Sequence, residues 1–336
     1  MAVTVKDVAA LAGVSTATVS RVINNEEGIR PATRERVQKA IIKSGYKVNA
    51  IARSLKTSRS GTVGLITPEF TNDFFMNIAQ GVEEYLEGHG YTLIISSSNE
   101  SVAGEKRRAA LLAEKSVEGV IVIPSTGRGR HFKALYGAGI PLVFADRSTE
   151  DFPTDTVMVD NRKGSCDAVS YLIKQGFKKI AFIGGSPDLS NAKERLEGYL
   201  KALEEHGIEA DPDLVLTGNF HVDSGYLLME RLMQSNTPPD HVFIANYFMH
   251  AGAVKYLVAH GYKPLNSPGI SSFDDMGLSA ILGYTRVTVA QPMHEIGKHA
   301  ARLLLNRIQE NRSSETIRKE YRIIRLKTSL KIYRGD

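Results

Sequence analysis

From residue 62 onward, short apolar segments of this sequence alternate with longer segments of helical spacing. The segment TVGLIT, residues 62–67, is short, apolar and partly β-branched, which is typical of a buried strand. A segment of helical spacing follows it over residues 74–86. Strands that alternate with helices of about 10–15 residues predict βαβ units and parallel sheets. The sequence therefore predicts an α/β fold in which helices flank parallel sheets.

The same two patterns recur to the end of the chain. Further strands are predicted at TLIIS, GVIVIP, PLVFAD, KIAFIGG, HVFIAN, GISSFDD, RVTVAQP and YRIIRLKTS, and further helices over 105–115, 162–175, 191–206, 248–259 and after RVTVAQP. These roughly 270 residues exceed the size at which a single hydrophobic core stops growing. Two series of strands and helices therefore predict two lobes.

Polar and aromatic side chains follow several of the predicted strands. In open α/β sheets, ligands bind beyond the carboxyl ends of the strands. Carboxylates, amides and guanidinium groups beside aromatic rings suit a polyhydroxylated ligand, because each hydroxyl both donates and accepts a hydrogen bond. For any single residue a loop cap or a surface ion pair is an equal explanation, so the prediction rests on the set. The candidate effector-binding residues are Asn72, Asp73, Phe74, Phe75, Asp146, Arg147, Asn191, Arg195, Asn246, Asp274 and Gln291.

The first 60 residues differ from the rest of the chain in charge. They contain 11 Lys and Arg against 4 Asp and Glu, a net charge of +7. Since the whole chain has 42 basic and 37 acidic residues, the remainder has a net charge of −2. A small basic unit beside a nearly neutral body predicts a polyanionic partner, although a solvated basic face has the same composition.

The same 60 residues contain the pattern of a helix-turn-helix. Apolar residues at i, i+3, i+4 and i+7 predict a helix that ends before Gly13, and Ser15 is placed to cap a second helix over 16–24. A third helix follows, with Pro31 in its first turn. The second helix presents small and hydrogen-bonding side chains suited to a DNA major groove. Helix-turn-helix geometry also occurs in domains that bind protein.

The segments DVAALAGVSTATVSRVINN and TRERVQKAIIKSGYKVNAIARSLK resemble the head of the lactose-repressor/galactose-repressor (LacI/GalR) family of bacterial regulators. The resemblance is dense at the start of the chain and continues more loosely toward its end. It implies a helix-turn-helix DNA-binding headpiece over 1–48, a hinge helix or linker over 49–60, and a periplasmic-binding-protein-like effector-binding core over 61–330. Three crossovers would join an N-lobe of about 61–160 and 292–320 to a C-lobe of about 161–291 and 321–330.

The resemblance also implies roles for individual residues. In similar proteins the residues that match Arg195, Asn246, Asp274 and Gln291 contact the effector. Leu55 in the hinge would insert between base pairs from the minor groove, whereas a plain linker with a stray leucine is the alternative. The residues expected to bind DNA are Thr4, Ser15, Thr16, Ala17, Thr18, Ser20, Arg21, Asn24, Asn25, Lys47, Asn49, Ala52, Leu55 and Lys56.

These observations predict a cytoplasmic homodimeric repressor that binds a pseudo-palindromic operator in double-stranded DNA. A small ligand in the cleft between the lobes, a sugar or a sugar phosphate, would control its DNA affinity and thereby genes of carbohydrate uptake or catabolism. Dependence on a corepressor or a partner protein remains open. Tyr247 after Asn246, and His250 where small residues are common, depart from the family pattern and leave the effector unidentified.

Other classes of protein fit the sequence less well. It contains neither G-x-x-x-x-G-K-[ST] nor G-x-G-x-x-G, and its nine histidines show no metal-ligand spacing. We therefore expect no catalytic site, no cofactor and no metal. A secreted sugar-binding protein would share the core fold but needs a signal peptide, and MAVTVKDVAALAG lacks its apolar stretch. No run of about 18 apolar residues predicts a membrane span.

Overall fold

The computed structural model describes residues 3–23, 26–46, 60–264, 267–277, 283–313 and 320–333. The chain divides into two compact units, Met1–Ser60 and Gly61–Asp336. The predicted boundary between headpiece and hinge, at residues 48 and 49, lies outside the described residues.

The smaller unit contains the three helices that its periodicity predicted, α1 (Val5–Ala12), α2 (Thr16–Ile23) and α3 (Pro31–Ser44). Gly13 and Gly45 end α1 and α3 with φ of 63° and 65°, a conformation that costs a side-chain-bearing residue more than glycine. The Ser15 hydroxyl accepts a hydrogen bond from the Thr18 N–H at 3.2 Å and so caps α2. The helices bury a small core made of Val8, Ala9, Ala12, Val19, Val22, Val37 and Ala40.

The larger unit is built from alternating strands and helices. Its strands are β1 (Thr62–Thr67), β2 (Thr92–Ser97), β3 (Gly119–Val122), β4 (Leu142–Ala145), β5 (Asp155–Val159), β6 (Ile180–Gly184), β7 (Val215–Thr217), β8 (His241–Ile244), β9 (Gly269–Phe273), β10 (Thr285–Ala290), β11 (Ile323–Leu326) and β12 (Ser329–Ile332). Its α-helices are α4 (Asp73–Glu87), α5 (Val102–Glu114), α6 (Lys133–Gly137), α7 (Asn161–Lys174), α8 (Ser190–Glu205), α9 (Val222–Met233), α10 (Tyr247–Ala259) and α11 (Met293–Ser313). Short 3₁₀ turns cover Arg130–Phe132 and Pro212–Leu214.

These strands form two sheets, one in each lobe, as predicted. Among the described residues the first sheet has the order β11-β5-β4-β3-β1-β2 and the second β12-β10-β9-β8-β6-β7. Neighbouring strands are parallel except for β10 and β12. The strand order reverses between β1 and β3 in the first sheet and between β6 and β8 in the second. Such reversals are where open α/β sheets bind ligands.

The last crossover between the lobes lies later in the chain than predicted. Residues 321–330 were predicted to belong to the C-lobe, which is wrong for β11, because β11 pairs with β5 in the first sheet. The buried guanidinium of Arg307 binds both carboxylate oxygens of Asp155, at 2.7 and 3.0 Å, and the Glu320 carbonyl at 2.9 Å. The Arg322 N–H also donates to Asp155. These bonds hold the segment before β11 against the first sheet.

Helices α4 and α11 pack so closely that only glycine fits at two contacts. A Cβ atom on Gly81 would lie 2.1 Å from the His294 carbonyl oxygen, and one on Gly297 would lie 2.1 Å from the Ile78 carbonyl oxygen. Gln291 and Pro292 connect β10 of the second sheet to α11 and so form a crossover segment between the lobes. The contact between α4 and α11 therefore holds the first-lobe end of this segment in place.

Glu118 anchors the start of the larger unit. Its carboxylate accepts a hydrogen bond from the Gly61 N–H at 2.7 Å and from the Tyr91 hydroxyl at 3.3 Å, and it pairs with the Arg312 guanidinium. Gly61 has a φ of 61°. Strand β1 therefore begins at a fixed position at the amino end of the first sheet.

Candidate ligand pocket and candidate nucleic-acid interface

A pocket lies between the two lobes, at the carboxyl ends of the strands. Its volume is about 450 Å³, including space that is open to solvent. It is lined by Glu69, Asn72, Phe74, Phe75, Glu100, Asp146, Arg147, Asn191, Arg195, Phe220, Asn246, Tyr247, Phe248, Asp274 and Gln291.

All predicted effector-binding residues except Asp73 line this one pocket. Asp73 is exposed in the first turn of α4 and its side chain is not part of the lining. Five lining residues were not predicted from the sequence: Glu69, Glu100, Phe220, Tyr247 and Phe248. Glu69 lies two residues after the end of β1 and could have been found by the same rule that found other strand-end residues. Phe220 has a φ of 70°, a backbone conformation that the local sequence does not predict.

Asp146 and Arg147 form the first-lobe wall of the pocket. Asp146 is 1% exposed and has a φ of 64°. The Arg147 Nη1 donates to the Pro124 carbonyl at 3.0 Å, and its Nε lies 3.2 Å from the Asp146 Oδ2. Burial raises the pKa of Asp146, and the charges of Arg147 and Arg195 oppose that rise. The guanidinium of Arg147 also lies 5.7 Å from the Phe75 ring centroid, within cation–π range.

Arg195 forms part of the second-lobe wall and is almost fully buried. Its Nε donates to the Asn161 Oδ1 at 2.8 Å and its Nη1 to the Ala245 carbonyl at 2.6 Å. Its guanidinium carbon lies 3.8 Å from the centroid of the Phe273 ring. Burial lowers the pKa of Arg195, and the carboxylate of Asp274 counteracts that effect. The charge is therefore held in place by hydrogen bonds and an aromatic face.

Asp274 and Gln291 meet where a second-lobe strand end faces a crossover segment. The Gln291 Nε2 donates to the Asp274 Oδ1 at 2.5 Å. Asp274 has a φ of 73°, like Asp146 in the left-handed region. Strained backbone of this kind concentrates at ligand sites, where the surrounding structure maintains it. Across the cleft, the Asn191 Nδ2 donates to the Asp146 Oδ2 at 3.1 Å.

Two of the pocket asparagines also cap the helices that begin there. The Asn72 Oδ1 accepts from the Phe74 N–H at 3.1 Å, at the start of α4. The Asn246 Oδ1 accepts from the Met249 N–H at 3.0 Å, and its Nδ2 donates to the Phe220 carbonyl at 2.8 Å. Asn246 therefore orients α10 and the Phe220 loop, in addition to lining the pocket.

Hydrogen bonds connect the two lobes along the rim of the pocket. The Asp188 Oδ2 accepts from the Thr126 hydroxyl at 2.7 Å and from the Gly127 N–H at 3.0 Å. These bonds lower the pKa of Asp188. The His221 Nε2 lies 2.8 Å from the Glu100 Oε2. Both pairs join a residue of the first lobe to a residue of the second, so the two lobes are in direct contact in this structure.

The candidate nucleic-acid interface is the outer face of α2. Thr16, Ala17 and Arg21 are exposed there, whereas Thr18 and Ser20 are half-buried. Arg21 has a side chain that is 66% exposed and lies 3.8 Å from the Glu26 carboxylate.

The remaining predicted DNA contacts are placed as follows. Thr4 is exposed at the start of α1, where its N–H and hydroxyl donate to the Asp7 carboxylate at 2.8 and 2.7 Å. The exposed Ser15 hydroxyl lies 3.0 Å from the Thr18 hydroxyl. Outside the described residues lie Asn24, Asn25, Lys47, Asn49, Ala52, Leu55 and Lys56.

Within the described part of the chain, no group of three or more His, Cys, Asp or Glu is placed to hold a metal ion. Nor is any helix in the described ranges long and apolar enough to cross a membrane.

Comparison with protein families gives two matches that together cover most of the chain. The family model of the bacterial regulatory proteins, lacI family, matches residues 4–49. The model of the periplasmic binding proteins and sugar binding domain of LacI family matches residues 60–327. The first match contains α2, and the second contains the pocket.

Individual relatives cover nearly the whole chain. The HTH-type transcriptional repressor PurR of Vibrio atlanticus (strain LGP32) is 35% identical over 309 residues, which cover 91% of this chain and 92% of that protein. The HTH-type transcriptional repressor CytR of Escherichia coli (strain K12) is 34% identical over 315 residues, 92% of this chain and 90% of that protein. A transcriptional regulator CelR–cellobiose complex matches with a TM-score of 0.73 at 32% identity, covering 99% of this chain and 100% of that one.

Proposed function

Since the chain belongs to the LacI family and is a ligand-controlled, DNA-binding transcriptional repressor, we propose that it acts as a homodimer on a pseudo-palindromic operator and binds a carbohydrate effector in its pocket. We further propose that it works in the cytoplasm and acts by binding, not by catalysis. Its targets would be genes of carbohydrate uptake or catabolism.

The effector part of the proposal rests on one observation, the convergence of polar and aromatic side chains from both lobes on one pocket. Asp274 and Arg195 come from the second lobe, and Asp146 from the first. Planar groups of this kind can bind neighbouring hydroxyls, while the rings of Phe74 and Phe75 offer an apolar face. A ligand held by both lobes favours the conformation that brings them together, and this differential affinity can change operator binding.

The operator part of the proposal rests on the surface of α2. Arg21 can bind guanine through two hydrogen bonds, and Thr16 and Ala17 can contact a thymine methyl group. The net charge of +7 on residues 1–60 favours phosphate contacts. One short helix contacts few bases, so two copies on a two-fold symmetric site are expected.

The operator proposal can be tested with full-length protein and DNA sites selected from a random pool. Arg21→Ala should weaken binding to the selected site by about 1–3 kcal/mol, since a bidentate contact to a base is lost. Fluorescence anisotropy with the selected site and a scrambled site measures the affinity and the specificity ratio.

Lys39→Ala is the matched control, because Lys39 lies on α3, pairs with Glu35 and carries the same charge. It should change the specificity ratio little. If both substitutions lower that ratio equally, α2 does not read the operator in the way proposed here.

A further inference from the structure

We propose that the pocket selects an uncharged, hydroxyl-bearing ligand and rejects the phosphorylated form of the same compound. This inference rests on the proposed function, since it specifies the ligand of that pocket. It covers sugars and nucleosides alike, because both present neutral hydroxyl groups.

The charges around the pocket disfavour an anion. Four carboxyl groups line it, those of Glu69, Glu100, Asp146 and Asp274, against the two guanidinium groups of Arg147 and Arg195. No lysine contributes to the lining described here. A phosphate monoester carries close to two negative charges at pH 7. It would therefore enter a site in which carboxyl groups outnumber cations.

The two guanidinium groups are already engaged by the protein. Arg147 is paired with Asp146 and donates to the Pro124 carbonyl. Arg195 donates to Asn161 and to the Ala245 carbonyl. A phosphate would have to compete with these partners, since a protein that binds phosphate through arginine presents the guanidinium fork to the ligand.

The helix termini at the pocket are engaged as well. Helix N-termini bind phosphate through their free N–H groups and their dipole. Here the Phe74 N–H of α4 already donates to Asn72, and the Met249 N–H of α10 already donates to Asn246. Asp73 adds a carboxylate to the first turn of α4.

Three buried polar atoms of the pocket-lining residues have no hydrogen-bond partner among the described residues; two are acceptors and one is a donor. The Asp146 Oδ1 and the Gln291 Oε1 are buried and have no hydrogen-bond partner among the described residues. The Arg147 Nε also lacks one, but it lies 3.2 Å from the Asp146 carboxylate and is paired by charge. Leaving a buried acceptor unpaired is unfavourable, and a ligand hydroxyl or N–H can supply the missing donor. A phosphate dianion has no proton to donate, so the phosphate group of a phosphorylated ligand cannot satisfy these oxygens and repels them if it lies beside them.

The experiment uses full-length protein and matched pairs of compounds at equal concentration. The pairs are glucose and glucose 6-phosphate, ribose and ribose 5-phosphate, and adenosine and its 5′-monophosphate, with cellobiose as a further neutral compound. Thermal unfolding detects binding, and isothermal titration gives the affinity of each hit. We expect a neutral compound to bind at least about tenfold more tightly than its phosphate. A phosphate that binds as tightly as its neutral partner, or a panel without a neutral binder, would overturn the inference.

Three substitutions test the physical basis. Asp146→Asn should weaken binding of the neutral ligand by about tenfold, because an amide cannot replace both carboxylate oxygens as acceptors. Glu69→Gln should lower the affinity ratio of the neutral ligand to its phosphate, because a negative charge beside the ligand is removed. Glu83→Gln is the control, since Glu83 is an exposed α4 carboxylate outside the lining. Equal effects of Asp146→Asn and Glu83→Gln on neutral-ligand affinity would contradict the inference.

Operator binding by the ligand-free proteins separates this inference from the proposed function. Specific operator binding together with tight binding of a phosphorylated sugar overturns only the selectivity proposed here. Absence of specific operator binding in the wild-type protein overturns the proposed function itself.

Discussion

His250 is a buried imidazole that the folded chain keeps neutral. Its Nε2 lies 3.0 Å from the Thr285 hydroxyl, and burial lowers its pKa to about 4. An unfolded chain takes up the proton near pH 6.5, so folding loses stability as the pH falls from about 6.5 toward 4. Between pH 6.5 and 4, His250 lowers the free energy of unfolding by on the order of 3 kcal/mol. His250→Gln should therefore reduce the difference in unfolding free energy between pH 7.5 and 4.5, measured by urea denaturation.

The exposed His260 provides the matched control for this prediction. His260→Gln should leave the acid sensitivity of unfolding as it is in the wild type. His241, whose pKa burial lowers to about 3, is expected to add to the same trend in every variant. If His250→Gln and His260→Gln have the same effect, burial of His250 is not a source of acid sensitivity.

The rule that ligands bind beyond the carboxyl ends of strands predicted the pocket residues that come directly after a strand. Asp146, Asp274 and Gln291 follow β4, β9 and β10, and the carboxyl ends of parallel strands meet at one edge of a sheet. Glu100 and Phe220 come from loops, and their positions depend on tertiary contacts such as the bond between Asn246 and the Phe220 carbonyl. No local pattern contains that information.

At the scale of elements, the contact between α4 and α11 tolerates no side chain at its glycines. Gly297→Ala should destabilise the larger unit by about 1–3 kcal/mol, because the new methyl group meets the backbone carbonyl of Ile78, which cannot rotate away. This outweighs the gain of up to about 1 kcal/mol in helix propensity. Urea denaturation at pH 7.5 measures the difference.

Gly137 is the control, because it ends helix α6 and a Cβ atom there meets nothing within 4 Å. Gly137→Ala should leave stability unchanged or raise it slightly. A Gly297→Ala protein as stable as the wild type would show that the two helices can separate at little cost.

Periodicity predicted most of the strands and helices, whereas it did not predict the sheet to which β11 belongs. Apolar alternation predicted β11 as a strand, but its place beside β5 depends on the pairing of Arg307 with Asp155. Those two residues are 152 positions apart in the chain. The structure also has five elements that were not predicted, namely α6, α9, β5, β7 and β12.

At the scale of the larger unit, the bonds of Asp188 hold the two lobes together beside the pocket. Asp188→Ala removes the acceptor for Thr126 and Gly127, so the open form of the pocket should become more populated. A ligand that needs both lobes should then bind roughly 5- to 150-fold more weakly, given about 0.5–1.5 kcal/mol for each of the two hydrogen bonds. Isothermal titration with a neutral ligand from the panel measures this change.

Asp213→Ala is the matched control, since Asp213 is an exposed second-lobe carboxylate outside the pocket lining. It should leave the ligand affinity unchanged, and both variants should unfold at wild-type urea concentrations. Wild-type ligand affinity in Asp188→Ala would mean that the rim bonds do not contribute to closure.

The anchor at Glu118 has a consequence for protein engineering. Gly61, Tyr91 and Arg312, which bind its carboxylate, all belong to residues 61–336. A chimera that keeps this segment and receives a foreign DNA-binding domain before Gly61 retains the whole anchor. We therefore expect residues 61–336, which contain the pocket, to fold as one unit behind a foreign DNA-binding domain, and residue 61 is a suitable junction for building sensors.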